Sequence, residues 1–274
     1  LKSLVLGGIL ARQTRYCYHS VMSSSSKRAR SVSEGAEPKK GAKSSSSSKI
    51  VIEPQRAALP KRKADRTLNF GPGFADFLPN LTPEEVLSEG AFGGTYFRSI
   101  SSSVTGQSYT WKQAWEEFQK EGWLKNLSEE ELYNKVGRPW DRYDQKLNLN
   151  REKCGQTLDQ WQEAGWIMEC DPYGWFQWYC RFYLGRRCSD DERQITRWQN
   201  TAAIGRGRWR TTLVNKIESE DKVGDLRISG KIRQILQHFG YTLTLEDYRY
   251  TKEDQTLKKA AAAMKKSTAV SRKK

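Results

Sequence analysis

The sequence predicts an all-α fold: a compact single domain of several short helices around a tryptophan-rich central helix, with disordered tails. Three observations carry that reading. Helix-start signals recur along the middle of the chain, and no segment alternates apolar and polar residues as a half-buried strand would. All ten tryptophans fall between residues 111 and 209, mostly at helical spacing. Charge and low complexity mark the ends. Residues 1–67 hold 15 Lys and Arg against 4 Asp and Glu, residues 251–274 hold 8 against 2, and residues 68–250 hold 24 against 26. The expected organisation is therefore a Ser-rich basic tail (1–67), a helical globular domain (68–250) and a basic C-terminal tail (251–274). Segments so rich in charge and serine bury too little apolar surface to fold.

The domain opens at Leu68, where Asn69 through Phe74 form a Gly/Pro loop. Thr82-Pro83-Glu84-Glu85 places a capping threonine, a proline at the first helical position and a glutamate three residues on, which starts a short helix. Thr110 precedes Trp111, Trp115 and Phe118 on one helical face, ended by Gly122. Ser128 with Glu131 repeats the capping pattern, and Thr157 opens a helix through Trp161 that stops at Gly165. In Gly122-Trp123 and Gly165-Trp166 a glycine stop precedes a tryptophan able to pack back. After Asp171-Pro172, Trp175, Trp178, Tyr179 and Phe182 form one stripe while Phe176, Cys180 and Tyr183 fill another, so this helix is central and buried. Ser189 with Glu192 predicts the next N-terminus. Further helices are expected over 208–219 and 230–239.

The segment DPYGWFQWYCRFYLGRRCSDDERQITRW, residues 171–198, and the run Ala91-Phe92-Gly93-Gly94-Thr95-Tyr96-Phe97 together resemble the signature of a widespread family of uncharacterised proteins. The resemblance spans about residues 92–240. It implies no activity that can be transferred to this chain.

Five cysteines, an odd number without a CxxC pair, and two histidines give no metal-ligand spacing, so no metal and no cofactor are expected. Buried, reduced thiols fit better. No apolar run reaches the ~20 residues that span a bilayer, so no membrane partner is expected. The basic clusters Lys27-Arg28-Ala29-Arg30, Lys39-Lys40 and Pro60-Lys61-Arg62-Lys63 read as nuclear localisation or nucleic-acid patches. Residues 1–33, basic and free of acids around an apolar LVLGGIL, alternatively read as a mitochondrial or other organelle transit peptide.

Function is expected at 171–210. Eight arginines against three acids fall within 181–210, and guanidinium holds phosphate bidentately. The expected activity is nucleic-acid binding, with Arg186, Arg187, Arg193, Arg197, Arg206, Arg208 and Arg210 as contacts. The loop Gly205-Arg206-Gly207 opening a helix is the best phosphate seat among them. Two alternatives stand beside it. One is an enzyme or small-molecule-binding domain with a cleft lined by Trp175, Trp178, Tyr179 and Asp171; the other is a protein-interaction module, since Trp, Tyr and Arg dominate interface hot spots. No recognisable catalytic motif occurs. His238 reads as a packed or capping residue, and Asp141, Asp144 and Asp171 serve equally as carboxylate pairs or as partners of arginine.

Overall fold

A computed structural model describes residues 50–271, all within the unit Ser33–Lys274. The expectations placed on residues 1–49 lie outside it. Four helices start where the sequence nominates them: α1 (Pro83–Glu89), α2 (Trp111–Lys120), α3 (Glu129–Leu132) and α4 (Leu158–Glu163). At each, Thr82, Thr110, Ser128 or Thr157 accepts a bond from the amide three residues on. The side chain of Glu85, Gln113, Glu131 or Gln160 accepts from the cap's own amide. This reciprocal cap needs no tertiary support.

The fold closes on α5 (Trp175–Tyr183), in which seven of nine residues are buried. Trp178 and Tyr179 are fully enclosed. Tyr179 Oη donates to Leu81 O at 2.6 Å, and Trp178 Nε1 donates to Asp191 Oδ1 at 2.8 Å. Phe77 meets Trp178, Phe182 and Trp198 in tilted and edge-on contacts with centroids 5.3–5.7 Å apart. Rings of this size bury large apolar areas and prefer such offset geometry. α6 (Asp191–Ala202) packs on α5, α7 (Arg208–Lys216) packs on α6, and α8 (Gly230–His238) and α9 (Leu245–Ser271) pack on α7. Two short hairpins complete the fold among the described residues: β1 (Lys61–Arg62) with β2 (Leu68–Asn69), and β3 (Ile100–Ser101) with β4 (Ser108–Tyr109). No helix of the described residues is long and apolar enough to cross a membrane.

Three details depart from the sequence reading. Ser189 and Glu192 do not cap α6. Ser189 Oγ accepts from Val51 N at 3.0 Å, and the Asp191 carboxylate takes the Cys188 amide at 2.9 Å. Residues 50–67, expected in the tail, lie on the domain. Glu53 N and Ala57 N donate to Arg187 O and Gly185 O, while Arg62 reaches Asn80 O and Glu85. A Cβ on Gly185 would stand 2.1 Å from Ala57 O, so this approach requires glycine. Lastly, α9 runs through the expected boundary at 250.

Candidate functional site

Several segments that are distant in sequence enclose a cavity of about 350 Å³, at the lower end of the ~300–1,000 Å³ range of ligand sites. Five of the ten tryptophans line it: Trp140, Trp161, Trp166, Trp175 and Trp209. Four arginines join them, Arg98, Arg193, Arg197 and Arg208, and the lining contains no Asp or Glu. One face of α6 supplies Arg193, Arg197, Asn200 and Thr201, whose spacing of four, three and one places them on a single stripe. The opposite wall comes from the turn Phe92–Gly94 and the residues after it. Gly94 has φ +76, and a Cβ there would lie 2.2 Å from Asn134 O. That close packing seats the turn and sets Phe92 flat on His238, with ring centroids 3.9 Å apart.

The buried floor is polar in composition and apolar in effect, because its hydrogen-bonding groups are used within the protein. Tyr96 Oη donates to Tyr173 O and accepts from Gln177 N. Tyr173 Oη donates to Arg98 O at 2.6 Å, Thr95 Oγ1 to Phe92 O, and Trp175 Nε1 to Gln194 O. Burial pushes the Tyr173 hydroxyl well above the ordinary phenol range and holds Tyr96 protonated in the same way.

His238 and Cys154 sit side by side in this wall, with Nδ1 3.5 Å from Sγ. The backbone amide of Phe92 donates to His238 Nε2 at 3.1 Å, and the Gln234 side-chain nitrogen lies 3.1 Å from the same atom. An amide has only a proton to offer, so Nε2 is the acceptor and the ring proton resides on Nδ1, directed at the sulfur. Burial depresses the imidazole pKa to about 3. The ring therefore donates to the thiol and has no free nitrogen with which to withdraw its proton, so the pair lacks the arrangement of a base and its nucleophile.

The guanidinium groups are the charged elements that line the cavity. Arg98, half-buried, donates to Thr95 O at 3.1 Å and lies 5.3 Å from the Trp140 ring centre. Among the described residues it makes no ion pair, and burial lowers its pKa. Arg208 lies 4.9 Å over Trp209, is exposed and likewise makes no ion pair among the described residues. Arg197 lies 5.3 Å over Trp166 and bonds Gln194 Oε1. Arg193 grips both oxygens of Asp190 at 2.5 and 2.8 Å.

The seven arginines nominated from sequence thus separate. Arg193, Arg197 and Arg208 line the cavity, and Arg206 bonds Asn200 Oδ1 and Gln199 Oε1 beside it. The other three are used inside the fold. Arg186 clasps Asp171, Arg187 packs 3.9 Å from the Phe182 ring centre and bonds Phe182 O, and Arg210 is held by Asp247 and Thr251. Of the four nominated cleft residues, Trp175 lines the cavity; Trp178, Tyr179 and Asp171 do not. Their side chains turn to the core and to the arginines of the α5–α6 connection. Asp144 caps a short turn through Lys146 N and lies 3.8 Å from Arg138. Sequence reasoning missed Arg98, Trp140, Trp161, Trp166, Trp209 and Cys154 as neighbours. Only the glycine–tryptophan step at 165–166 signalled a ring folding back, and Trp166 N does donate to Trp161 O. Among the described residues no group of three His, Cys, Asp or Glu could hold a metal. Comparison with family models, curated proteins and solved structures finds no match to this chain.

Proposed function

We propose that this domain binds a small anionic organic molecule in the aromatic cavity. The observation that carries the reading is Arg98, half-buried and without an ion pair among the described residues, in a lining that contains no carboxylate and that exposed Arg208 joins. A desolvated cation without a counter-charge costs free energy, and an incoming anion removes that cost. The tryptophan faces supply the apolar contact that small-molecule sites use for most of their affinity. The test is thermal shift of the full-length chain with a panel of aromatic anions and their neutral analogues, repeated on Asn200→Trp, which fills the cavity edge. Anions raise the melting temperature of the parent and lose that effect in the variant. A panel without effect, or one acting equally on both proteins, overturns the reading.

Nucleic-acid binding is the second reading. It is favoured by exposed Arg206 and Arg208, which flank Gly207 next to a wall of rings on which unpaired bases can stack.

A further inference from the structure

Resting on the cavity reading, we infer that the ligand is an aryl carboxylic acid that enters ring first, its carboxylate held by Arg98 and its hydrocarbon body against Phe92, Trp175 and Phe176. The inference comes from what the floor does not offer. The Tyr96, Tyr173, Thr95, Trp175 and His238 polar atoms all have partners inside the protein. A nucleobase pushed into that floor would surrender its hydrogen bonds to water and find none in return, whereas a hydrocarbon ring loses nothing there.

The charge sits elsewhere. Arg98 is anchored through Thr95 O and stacked by Trp140, and its own carbonyl is fixed by Tyr173 Oη, so its fork is held in place. Among the described residues no carboxylate lies within ion-pair distance of it; Asp159 acts on it only at longer range. A planar carboxylate matches one guanidinium bidentately. The indole N–H groups along the half-buried wall, Trp140, Trp161 and Trp166, are donors only, which again favours an acceptor-rich anion over a polar neutral body.

The test uses three probes on the full-length chain by isothermal titration: 2-naphthoate, 2-naphthylmethanol and adenosine monophosphate. Naphthoate binds, and each of the others binds at least tenfold more weakly. Arg98→Met weakens naphthoate by about tenfold or more and leaves naphthylmethanol unchanged, the size expected for loss of one charge-assisted contact. If that variant does not fold, Arg98→Lys replaces it, with a several-fold loss for naphthoate alone because the fork is gone while the charge remains. Adenosine monophosphate binding as tightly as naphthoate overturns this inference and leaves the cavity reading standing. Equal binding of acid and alcohol, or naphthoate affinity indifferent to Arg98, also overturns it. No binding by any of the three, together with a silent thermal-shift panel, overturns both.

Discussion

Arg186 Nη1 and Nη2 donate to the two carboxylate oxygens of Asp171 at 2.7 and 2.6 Å, a bidentate pair almost wholly withdrawn from water. Arg181 Nη1 adds a third bond to Asp171 Oδ1 at 3.1 Å. Asp171 closes the turn before α5 and Arg186 follows that helix, so the pair ties the two ends of the central helix together. Asp171→Asn keeps the shape and removes the charge that Arg186 faces. Breaking one side of a buried pair costs about 3–5 kcal/mol. The urea midpoint of Asp171→Asn falls accordingly, and adding Arg186→Met to it recovers part of the loss. An unfolding free energy within about 1 kcal/mol of the parent's would contradict the structural role.

The arginines that look alike in sequence differ in consequence. Arg210 is buried, donates to Thr251 Oγ1, Asp247 O and Asp247 Oδ1, and anchors α9 to α7. Arg206 and Arg208 are exposed. Arg210→Met lowers stability by several kcal/mol, on the order of other broken buried pairs, whereas Arg206→Glu with Arg208→Glu stays within about 0.5 kcal/mol of the parent. Circular-dichroism melts of the three proteins check the contrast.

Much of the helical frame was legible because its signals are local. Thr82, Thr110, Ser128 and Thr157 each carry their partner three residues away, so a short window holds the whole interaction. Ser189 failed for the opposite reason: its partner, Val51, is 138 residues distant. The central helix was readable from its all-round apolar character. The cavity was not, since Arg98, Trp140, Trp161 and Trp209 meet only after the chain folds, and no local pattern distinguishes a tryptophan facing a cavity from one facing the core. The charge excess at 181–210 likewise hid its compensation, because the Arg210 partner lies 37 residues away.

Residues 50–67 act as a strap, held to the α5–α6 connection by the backbone bonds of Glu53 and Ala57 and to the start of α1 by the Arg62 bonds to Asn80 O and Glu85. A chain starting at residue 68 therefore melts lower than one starting at residue 50. Each lost hydrogen bond is worth about 0.5–1.5 kcal/mol, so the combined shift is several degrees. Equal melting temperatures for the two truncations would show that the strap contributes nothing.

His238 makes stability depend on pH. Its folded pKa is pulled to about 3 from the ordinary 6.5 by burial, so between those values the unfolded chain binds a proton that the folded chain refuses. Stability is full above about pH 6.5 and declines as pH falls below it, with a slope approaching ~1.4 kcal/mol per pH unit. Urea unfolding at pH 7 and pH 5 measures the decline. His238→Gln, whose side-chain oxygen can still accept from Phe92 N, flattens it across that interval. A variant as acid-sensitive as the parent would assign the decline to other groups.

The nucleic-acid reading is separated from nonspecific tail attraction by charge. Residues 1–49 contain ten Lys and Arg against two Glu, and such a segment attracts any polyanion. If Arg206 and Arg208 with the neighbouring rings form a genuine contact, a chain starting at residue 50 retains measurable affinity for single-stranded RNA or DNA over duplex, because only unpaired bases reach the rings. Each phosphate contact contributes a salt slope near −0.7 for single strands. Arg206→Glu with Arg208→Glu therefore lowers both the affinity and the steepness of its salt dependence, and the melting temperature stays where it was. Arg210 is left unchanged, since the stability lost with its bonds to Asp247 and Thr251 would mimic a binding defect. Fluorescence anisotropy with a labelled oligonucleotide at two salt concentrations reads both quantities. Affinity that vanishes with residues 1–49, or that survives the double substitution with an unaltered slope, removes the nucleic-acid reading and leaves the anionic small molecule as the ligand of the cavity.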